Sequence, residues 1–268
     1  MEPNKIYDLV QAHYGELASK EHTRAEENVA KAFGYKASDL SSIPLDANLG
    51  VSCGNPVALA NLRKGEIVID LGSGGGIDVL LAAQKVGPKG KAIGVDMTKS
   101  MLELARKNAE KADASNVSFV EASITSVPLP DSTASCIISN CVVNLVPAAD
   151  KYLAFNEMFR LLTPGGRVAI SDILIRKQLP EEIAKDLSLY VGCIAGASYV
   201  YEYEEYLHNA GFKGAYHVLI VDTQKDLNIY KGIFQDQPGQ KFELTEEEVK
   251  ELDFNEWAGS FEIYALKP

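Results

Sequence analysis

The stretch Ile67-Val68-Ile69-Asp70-Leu71-Gly72-Ser73-Gly74-Gly75-Gly76 constrains the fold more than any other part of the chain. A short apolar run ends in an acid and opens into glycines, and Ile77 to Ala83 behind them reads as helix. Strand, glycine turn and helix in that order make a cradle for a nucleotide-type ligand. Glycine lets the backbone approach such a ligand where any Cβ would hold it off. The dinucleotide fingerprint G-x-G-x-x-G needs glycine at 77, where Ile77 stands, so NAD is disfavoured. The next apolar run, Lys91 to Val95, leads into Asp96. A carboxylate at the carboxyl end of that strand is placed to accept hydrogen bonds from two ribose hydroxyls.

From Glu66 onward strand and helix patterns alternate. Strands are predicted at 67–71, 91–95, 117–121, 135–139 and 167–172, and helices at 77–86, 98–112 and 150–162. Thr163-Pro164-Gly165-Gly166 stops the last helix sharply. Such alternation predicts a doubly wound α/β fold, a mostly parallel sheet with helices on both faces. Ligands of these sheets lie beyond the carboxyl ends of the strands, where Gly72, Asp96 and Asn140 all fall. After residue 173 the alternation lapses. Helices are expected at 181–191 and 200–210, and strands at 215–222 and 260–266 that close the sheet as a reverse hairpin. Residues 1–34 carry a helical pattern in which Tyr7, Val10, Tyr14 and Leu17 share one side. Three regions result: 1–64, helical and containing Cys53; 65–173, the ligand-binding domain; and 174–268, a substrate-binding α+β extension that adds the last strands.

The net charge of −11 leaves nothing to neutralise phosphates, so nucleic acid is an unexpected partner. No run approaches the ~18 apolar residues of a membrane span, and no secretory signal opens the chain. A cytoplasmic location is expected. There, the four cysteines Cys53, Cys136, Cys141 and Cys193 should be reduced thiols, buried or chemically used. Cys136 lies within an apolar strand and reads as a small core hydrophobe. The other three fall in predicted loops, and Cys53 and Cys193 each adjoin a glycine. No C-x-x-C pair exists, which argues against a zinc ribbon. The histidines, His13, His22, His208 and His217, avoid the glycine loop and the strand ends, so none presents itself as a catalytic base. The run Tyr199 to Tyr206 reads as a partly buried helix start, and Glu246-Glu247-Glu248 as a solvated first helical turn.

The spacing G-x-G-x-G after an acid-ended strand resembles the S-adenosylmethionine loop of class I methyltransferases. Three further blocks narrow the resemblance. They are Cys53-Gly54-Asn55-Pro56, Ser139-Asn140-Cys141-Val142-Val143-Asn144-Leu145 and Cys193-Ile194-Ala195-Gly196-Ala197. Together they resemble arsenic(III) S-adenosylmethionine methyltransferases, collinear from about Leu49 to Gly211. The resemblance implies a Rossmann-like sheet of seven strands. It implies a donor site using Asp70, Gly72, Ser73, Gly74, Asp96, Met97, Ser123, Ile124 and Asn140. It also implies that Cys53, Cys141 and Cys193 hold arsenic as thiolates. Two departures stand out: no cysteine precedes Cys53, and Ser123 occupies a place that is usually acidic, near the adenine amine.

The chemistry fits those residues. Trivalent arsenic is soft and prefers thiolates to carboxylate or imidazole. Three sulfurs leave its lone pair on the open side, free to attack a sulfonium methyl in line. The metalloid is then the nucleophile and no general base is needed. Transfer leaves arsenic oxidised, so thiols must supply electrons, with Cys53 and Cys141 as the expected disulfide pair and thioredoxin or glutathione as the external reductant. Arsenite and methylarsenite are the expected substrates. Two alternatives are a class I methyltransferase for another small acceptor, such as an organic thiol or natural product, and a non-catalytic arsenical or thiol sensor.

Overall fold

The computed structural model describes residues 2–20, 26–186, 189–190, 192–213, 218–231 and 246–268. Its frame is one sheet. Strands β1 (Ile67–Leu71), β2 (Lys91–Asp96), β3 (Val117–Glu121), β4 (Ala134–Asn140) and β5 (Leu162–Ile175) run parallel in the order β3-β2-β1-β4-β5. A two-residue strand β6 (Ser198–Tyr199) pairs with β5 off this path. Beyond β5 lie β7 (Val218–Asp222) and β8 (Ala258–Leu266), with β8 antiparallel to β5 and β7 antiparallel to β8 at the edge. This is the doubly wound α/β architecture expected from the sequence: a path of seven strands, plus the short β6.

The helices are α1 (Pro3–Leu17), α2 (Glu26–Ala32), α3 (Ala37–Leu40), α4 (Pro56–Leu59), α5 (Ile77–Val86), α6 (Lys99–Lys111), α7 (Lys151–Leu161), α8 (Glu181–Lys185), α9 (Val200–Ala210) and α10 (Glu246–Glu251). β1 shows why the sheet is covered on both sides. Successive side chains of a strand point to opposite faces. Ile69 and Leu71 therefore join Phe155 and Met158 of α7 and Tyr203 and Leu207 of α9. Val68 joins Val79 to Ala83 of α5 on the other face. A central strand buried on both faces needs a continuous apolar run, and Ile67 to Leu71 supplies one broken only by Asp70.

A third apolar cluster sits beyond the carboxyl ends of the strands. Ile6 and Val10 of α1, Val29 and Phe33, Ile173 and Ile175 of β5, and Leu227, Tyr230 and Phe254 from the last part of the chain meet there. Cys53, Cys141 and Cys193 are part of it. Both ends of the chain thus fold back over the carboxyl edge of the sheet and enclose it.

Several expected boundaries shift for identifiable reasons. β5 begins at Leu162 rather than 167, because Leu162 pairs with Ala134 before the register slips and resumes at Arg167 opposite Cys136. The extra residues bulge through the expected stop, where Gly165 is left-handed at φ +75°. The helix expected over 181–191 ends at Lys185. Asp186 is extended there, and its carboxylate accepts the Leu189 N–H at 3.0 Å, so it caps a new turn instead of continuing the old one. Residues 187, 188 and 191 of that span, 215–217 of the expected strand, and His22 lie outside the described residues.

β5 is anchored to the start of β1 by a buried ion pair. Arg167 donates to both Glu66 oxygens at 2.7 and 2.8 Å and through Nε to the Ala60 carbonyl at 2.6 Å. Burial pushes the Glu66 carboxyl up, but the hydrogen bonds from Arg167 and the Arg63 amide outweigh it and leave its pKa lowered. A carboxylate lowered by folding contributes stability above its unfolded pKa and loses it as pH falls through the folded one. Glu66→Ala strands a buried guanidinium and should cost about 3 kcal/mol at neutral pH. Urea unfolding should show that cost shrinking as the medium is acidified below the unfolded carboxylate range of about 4.3. A deficit unchanged by acid would mean that the pair's charge contributes nothing.

Candidate functional site

The glycine turn after β1 is built from left-handed residues. Gly72, Gly74 and Gly76 have φ of +78°, +50° and +97°. The turn is pinned to β2, with the Gly72 and Ser73 N–H groups both donating to the Val95 carbonyl, at 2.7 and 3.0 Å. A Cβ on Gly72 would collide with the Val142 side chain, so this turn and the loop after β4 pack backbone to side chain. Asp96 closes the loop from the end of β2. Its Oδ2 accepts the Gly74 N–H at 2.9 Å and its Oδ1 the Thr98 N–H at 2.8 Å. Each oxygen keeps acceptor capacity for a second donor. Burial raises the Asp96 pKa, while the Thr98 and Gly74 amides oppose the shift.

A cleft of about 700 Å³, partly open to solvent, lies over these groups. Of the expected donor-site residues, Gly72, Gly74, Asp96, Met97, Ser123, Ile124 and Asn140 line it. Asp70 and Ser73 do not; both are buried beneath it. Among the described residues the Ser73 hydroxyl has no hydrogen-bond partner. Burial raises the Asp70 pKa well above the usual carboxylate range, with Asp78 and Asp96 adding to it. Ser123 shares a 2.7 Å hydrogen bond with the Thr125 hydroxyl.

The cleft has a roof that the sequence did not assign to it. Tyr7, Val10 and Tyr14 of α1 line the cleft, and Gln11 donates to the Met97 carbonyl at 2.9 Å. Tyr7 donates to Asp150 at 3.1 Å. The apolar face of this helix was legible as a periodicity, but its partner was not. The described histidines, His13 and His208, stay out of the cleft lining.

Cys141 sits at the inner end of the cleft, and two more thiols stand beside it. The sulfurs of Cys53, Cys141 and Cys193 all lie within 4.8 Å of one another, and all three residues are buried. The Cα atoms of Cys53 and Cys141 are 5.5 Å apart, a separation that a disulfide can span. The Cys193 Sγ donates to the Cys141 carbonyl at 2.9 Å. Burial pushes the Cys193 thiol well up, Asp172 adds to this and Lys151 opposes it. Cys136 is apart from this group, in the core beside Val68, Ile138 and Ala169, with its thiol pushed up to about 12 by burial.

Each thiol is held by a different device. The Cys53 loop hangs on Asn140, whose Oδ1 accepts the Cys53 N–H at 3.0 Å while its Nδ2 donates to the Gly54 carbonyl at 3.1 Å. The same Nδ2 reaches Tyr35 and Asp78, and Ser260 donates to the Cys53 carbonyl at 2.6 Å. A Cβ on Gly54 would clash with Ser171, so the backbone next to Cys53 is crowded. Cys141 and Cys193 are both left-handed, with φ of +60° and +67°. A non-glycine residue rarely adopts that conformation unless its surroundings impose it.

The chain matches a family model described as a methyltransferase domain over residues 62–228. It is 46% identical over 188 residues to an arsenite methyltransferase of Halobacterium salinarum, covering 70% of this chain and 48% of that protein. It is 38% identical over 154 residues to an arsenite methyltransferase of Homo sapiens, covering 54% of this chain and 40% of that one. The chain thus spans about half the length, or less, of these curated relatives. Among solved structures it is similar to an arsenic (III) S-adenosylmethionine methyltransferase from Chlamydomonas reinhardtii, with TM-score 0.60 and 29% identity, covering 89% of this chain and 72% of that one.

Because Asn140 ties the Cys53 loop to β4, Asn140→Ala should loosen the approach of Cys53 to Cys141. Loss of two loop hydrogen bonds, about 1 kcal/mol each, should shift the glutathione redox ratio for half cross-linking roughly 30-fold toward oxidant. Thiol labelling of Cys53 across a glutathione series measures this. An unshifted midpoint would show that the loop is held by other contacts.

Proposed function

Since the chain belongs to the methyltransferase-domain family, we propose that it moves the methyl group of S-adenosylmethionine to trivalent arsenic held by Cys53, Cys141 and Cys193. The observation that carries this reading is the convergence of three buried sulfurs within 4.8 Å of one another, one of them, that of Cys141, on a residue that lines the cleft. The arsenite methyltransferases among its relatives, and the collinear blocks around those cysteines, support the same acceptor. A methyltransferase for an organic acceptor would have no use for such a cluster, so that alternative has less support.

The cleft suits the donor chemically. Left-handed glycines leave bare backbone at its floor, and Asp96 has acceptor capacity at the distance of a ribose. When bound, S-adenosylmethionine supplies a methyl group activated by a sulfonium. In the proposed reading Asp96, Met97, Ser123 and Ile124 orient the nucleoside, and Asp70 and Ser73 support the turn from beneath. The α1 side chains Tyr7, Val10 and Tyr14 exclude water from above. Residues 1–64 then contribute the roof and Cys53, 65–173 the donor cradle and Cys141, and 174–268 the third thiol.

The cysteines hold arsenite with its lone pair on the open side, toward the cleft. Rate enhancement comes from holding donor and acceptor aligned, not from a base. Methyl transfer leaves arsenic pentavalent. Two thiolates then give up two electrons, form one disulfide and return the metalloid to the trivalent state. Cys53 and Cys141, with Cα atoms 5.5 Å apart, suit that pair. An external thiol such as glutathione, or thioredoxin, regenerates them by exchange.

Asp96→Ala should weaken S-adenosylmethionine binding roughly 10- to 150-fold, the worth of about 1.5–3 kcal/mol for hydrogen bonds to a charged group. Calorimetry returning wild-type affinity would remove Asp96 from the donor site.

The cysteines separate by substitution. Cys141→Ser and Cys193→Ser should each abolish arsenic methylation, whereas Cys136→Ser should keep it and lose only stability. Cys53→Ser should lose methylation of arsenite yet retain much of that of monomethyl As(III), which offers two exchangeable positions instead of three. Product yield per enzyme, with and without added thiol, measures both. Undiminished yields from both substrates in Cys53→Ser would reduce the triad to a pair.

A further inference from the structure

The loop that carries Cys193 is held by a buried polar cluster that neither donor nor acceptor requires by its chemistry. Asn144 is completely buried in the loop after β4. Its Nδ2 donates to Asp172 Oδ1 at 2.7 Å, to the Ile173 carbonyl at 2.6 Å and to the Cys193 carbonyl at 3.4 Å. Asp172, also fully buried, accepts the Tyr203 hydroxyl at 2.8 Å and the Ile173 N–H at 3.0 Å. Lys151, at the start of α7, sends its ammonium inward to the Gly196 carbonyl and to the Ser198 hydroxyl, the latter at 2.9 Å. Two donors from the loop and helix after β4 therefore grip the carbonyls of residues 193 and 196, on the thiol and just beyond it. A Cβ on Gly196 would strike the Asn144 carbonyl, so the loop lies directly against the Asn144 backbone as well.

The left-handed Cys193 ends a helical turn, its N–H donating to the Tyr190 carbonyl at 2.9 Å and the Ile194 N–H to the Leu189 carbonyl at 2.9 Å, while Asn144 meets its carbonyl from the other side. At φ +67° the residue is strained unless neighbours fix both of its flanks. With the carbonyl fixed toward Asn144, Sγ turns to the Cys141 carbonyl and into the sulfur cluster. Cys53 and Cys141 meet each other through separate supports, Asn140 and the pairing of the Cys141 N–H with the Ser171 carbonyl at 2.9 Å. Cys193, besides its own backbone turn, is the thiol whose carbonyl reaches the buried cluster.

We infer that Asn144, oriented by Asp172 and Tyr203 and seconded by Lys151, is a positioning residue that sets the third sulfur and so makes the site a three-thiolate rather than a two-thiolate one. The inference rests on the arsenic reading of the cysteines. It gives the chain a determinant of acceptor preference outside the cysteines: with the grip intact, arsenite is held at all three positions; with it lost, only arsenicals that need two thiols are held well.

The test loads the reduced full-length protein with arsenite under a phosphine reductant and counts arsenic–sulfur neighbours by X-ray absorption. Titrations with arsenite and with phenylarsenite(III), whose phenyl carbon leaves two exchangeable positions, accompany it. Asn144→Ala should fall from three sulfur neighbours to two, as Cys193→Ser does, and lose arsenite affinity at least ~10-fold, while phenylarsenite affinity stays within ~3-fold. Tyr203→Phe removes one hydroxyl and keeps the ring against Phe155, so it tests the same cluster in a variant that keeps the core filled. It should weaken arsenite ~3-fold and leave phenylarsenite unchanged. Three sulfurs and unchanged arsenite affinity in both variants would overturn the inference. So would equal losses for both arsenicals, because a merely structural role moves them together. Two sulfurs in the wild-type protein would overturn the three-thiolate reading itself, which the variants do not probe.

Discussion

Asn140 stands at the carboxyl end of β4, and its carboxamide hydrogen-bonds the Cys53 N–H, the Gly54 carbonyl, the Tyr35 hydroxyl and Asp78. Those partners come from the segment before β1 and from the first turn of α5. One side chain therefore joins the centre of the sheet, the helix behind the glycine turn and the loop that brings Cys53 to the carboxyl edge. The Asp78 carboxyl, pushed up to about 6 by burial against the pull of Tyr35 and Asn140, completes this hub. Without it the Cys53 loop would keep the Ser260 contact and the Tyr230 hydrogen bond to the Ser52 carbonyl, both from the last part of the chain. The N-terminal and C-terminal contributions to the cleft thus meet on either side of one loop.

The three cysteines show how strain and packing are divided. Cys53 lies in ordinary backbone and is held by hydrogen bonds, whereas Cys141 and Cys193 occupy the left-handed region. The conformation is useful at both places for the same geometric reason. A residue turning out of an extended run sends its side chain off at an angle that regular strand or helix cannot reach, so sulfurs from distant parts of the chain can converge within 4.8 Å. Glycine would adopt such backbone more cheaply but carries no sulfur. The surrounding apolar cluster, with Leu145, Ile173, Leu189 and Ile194, over-determines both turns.

Much of this was legible because its chemistry is local. The turn at Gly72, the strand-end acid Asp96 and the separation of Cys136 from the other thiols follow from residue type and near neighbours. What escaped the sequence is long-range. Tyr7 and Tyr14 show a helical stripe, but a stripe says only that one face is covered, and its partner is the cleft. Lys151 heads a helix pattern, where a lysine ordinarily reads as solvated, yet it is buried against the loop at Gly196. Asp172 did leave a trace, an acid inside the apolar run Val168 to Ile175, but its partners Asn144 and Tyr203 lie 28 and 31 residues away. The helix expected over 181–191 failed for a local reason, the capping habit of Asp186, which periodicity alone does not weigh.

The electrostatics of the proposed site pose a problem that the chemistry of the proposed acceptor resolves. Asp70, Asp78, Asp96 and Asp172 are all raised by burial near the cleft and the thiols, so the region disfavours further negative charge. Burial and Asp172 also push the Cys193 thiol up, against the opposing influence of Lys151. Thiols that resist ionisation bind a cation only by releasing protons to solvent, which lowers its affinity at neutral pH. Arsenite is different, because at neutral pH it is an uncharged trihydroxide. Each thiol that binds it passes its proton to a departing hydroxyl, so three thiols and one arsenite give a neutral tris-thiolate and three waters. No net charge enters the buried cluster, and the desolvation cost that would exclude a bare ion does not arise. Charge appears only when the cationic methyl arrives, and carboxylates close to the cleft then face a positive centre rather than a negative one. A buried, thiol-rich pocket lined by acids thus suits a neutral acceptor that becomes positive as it reacts.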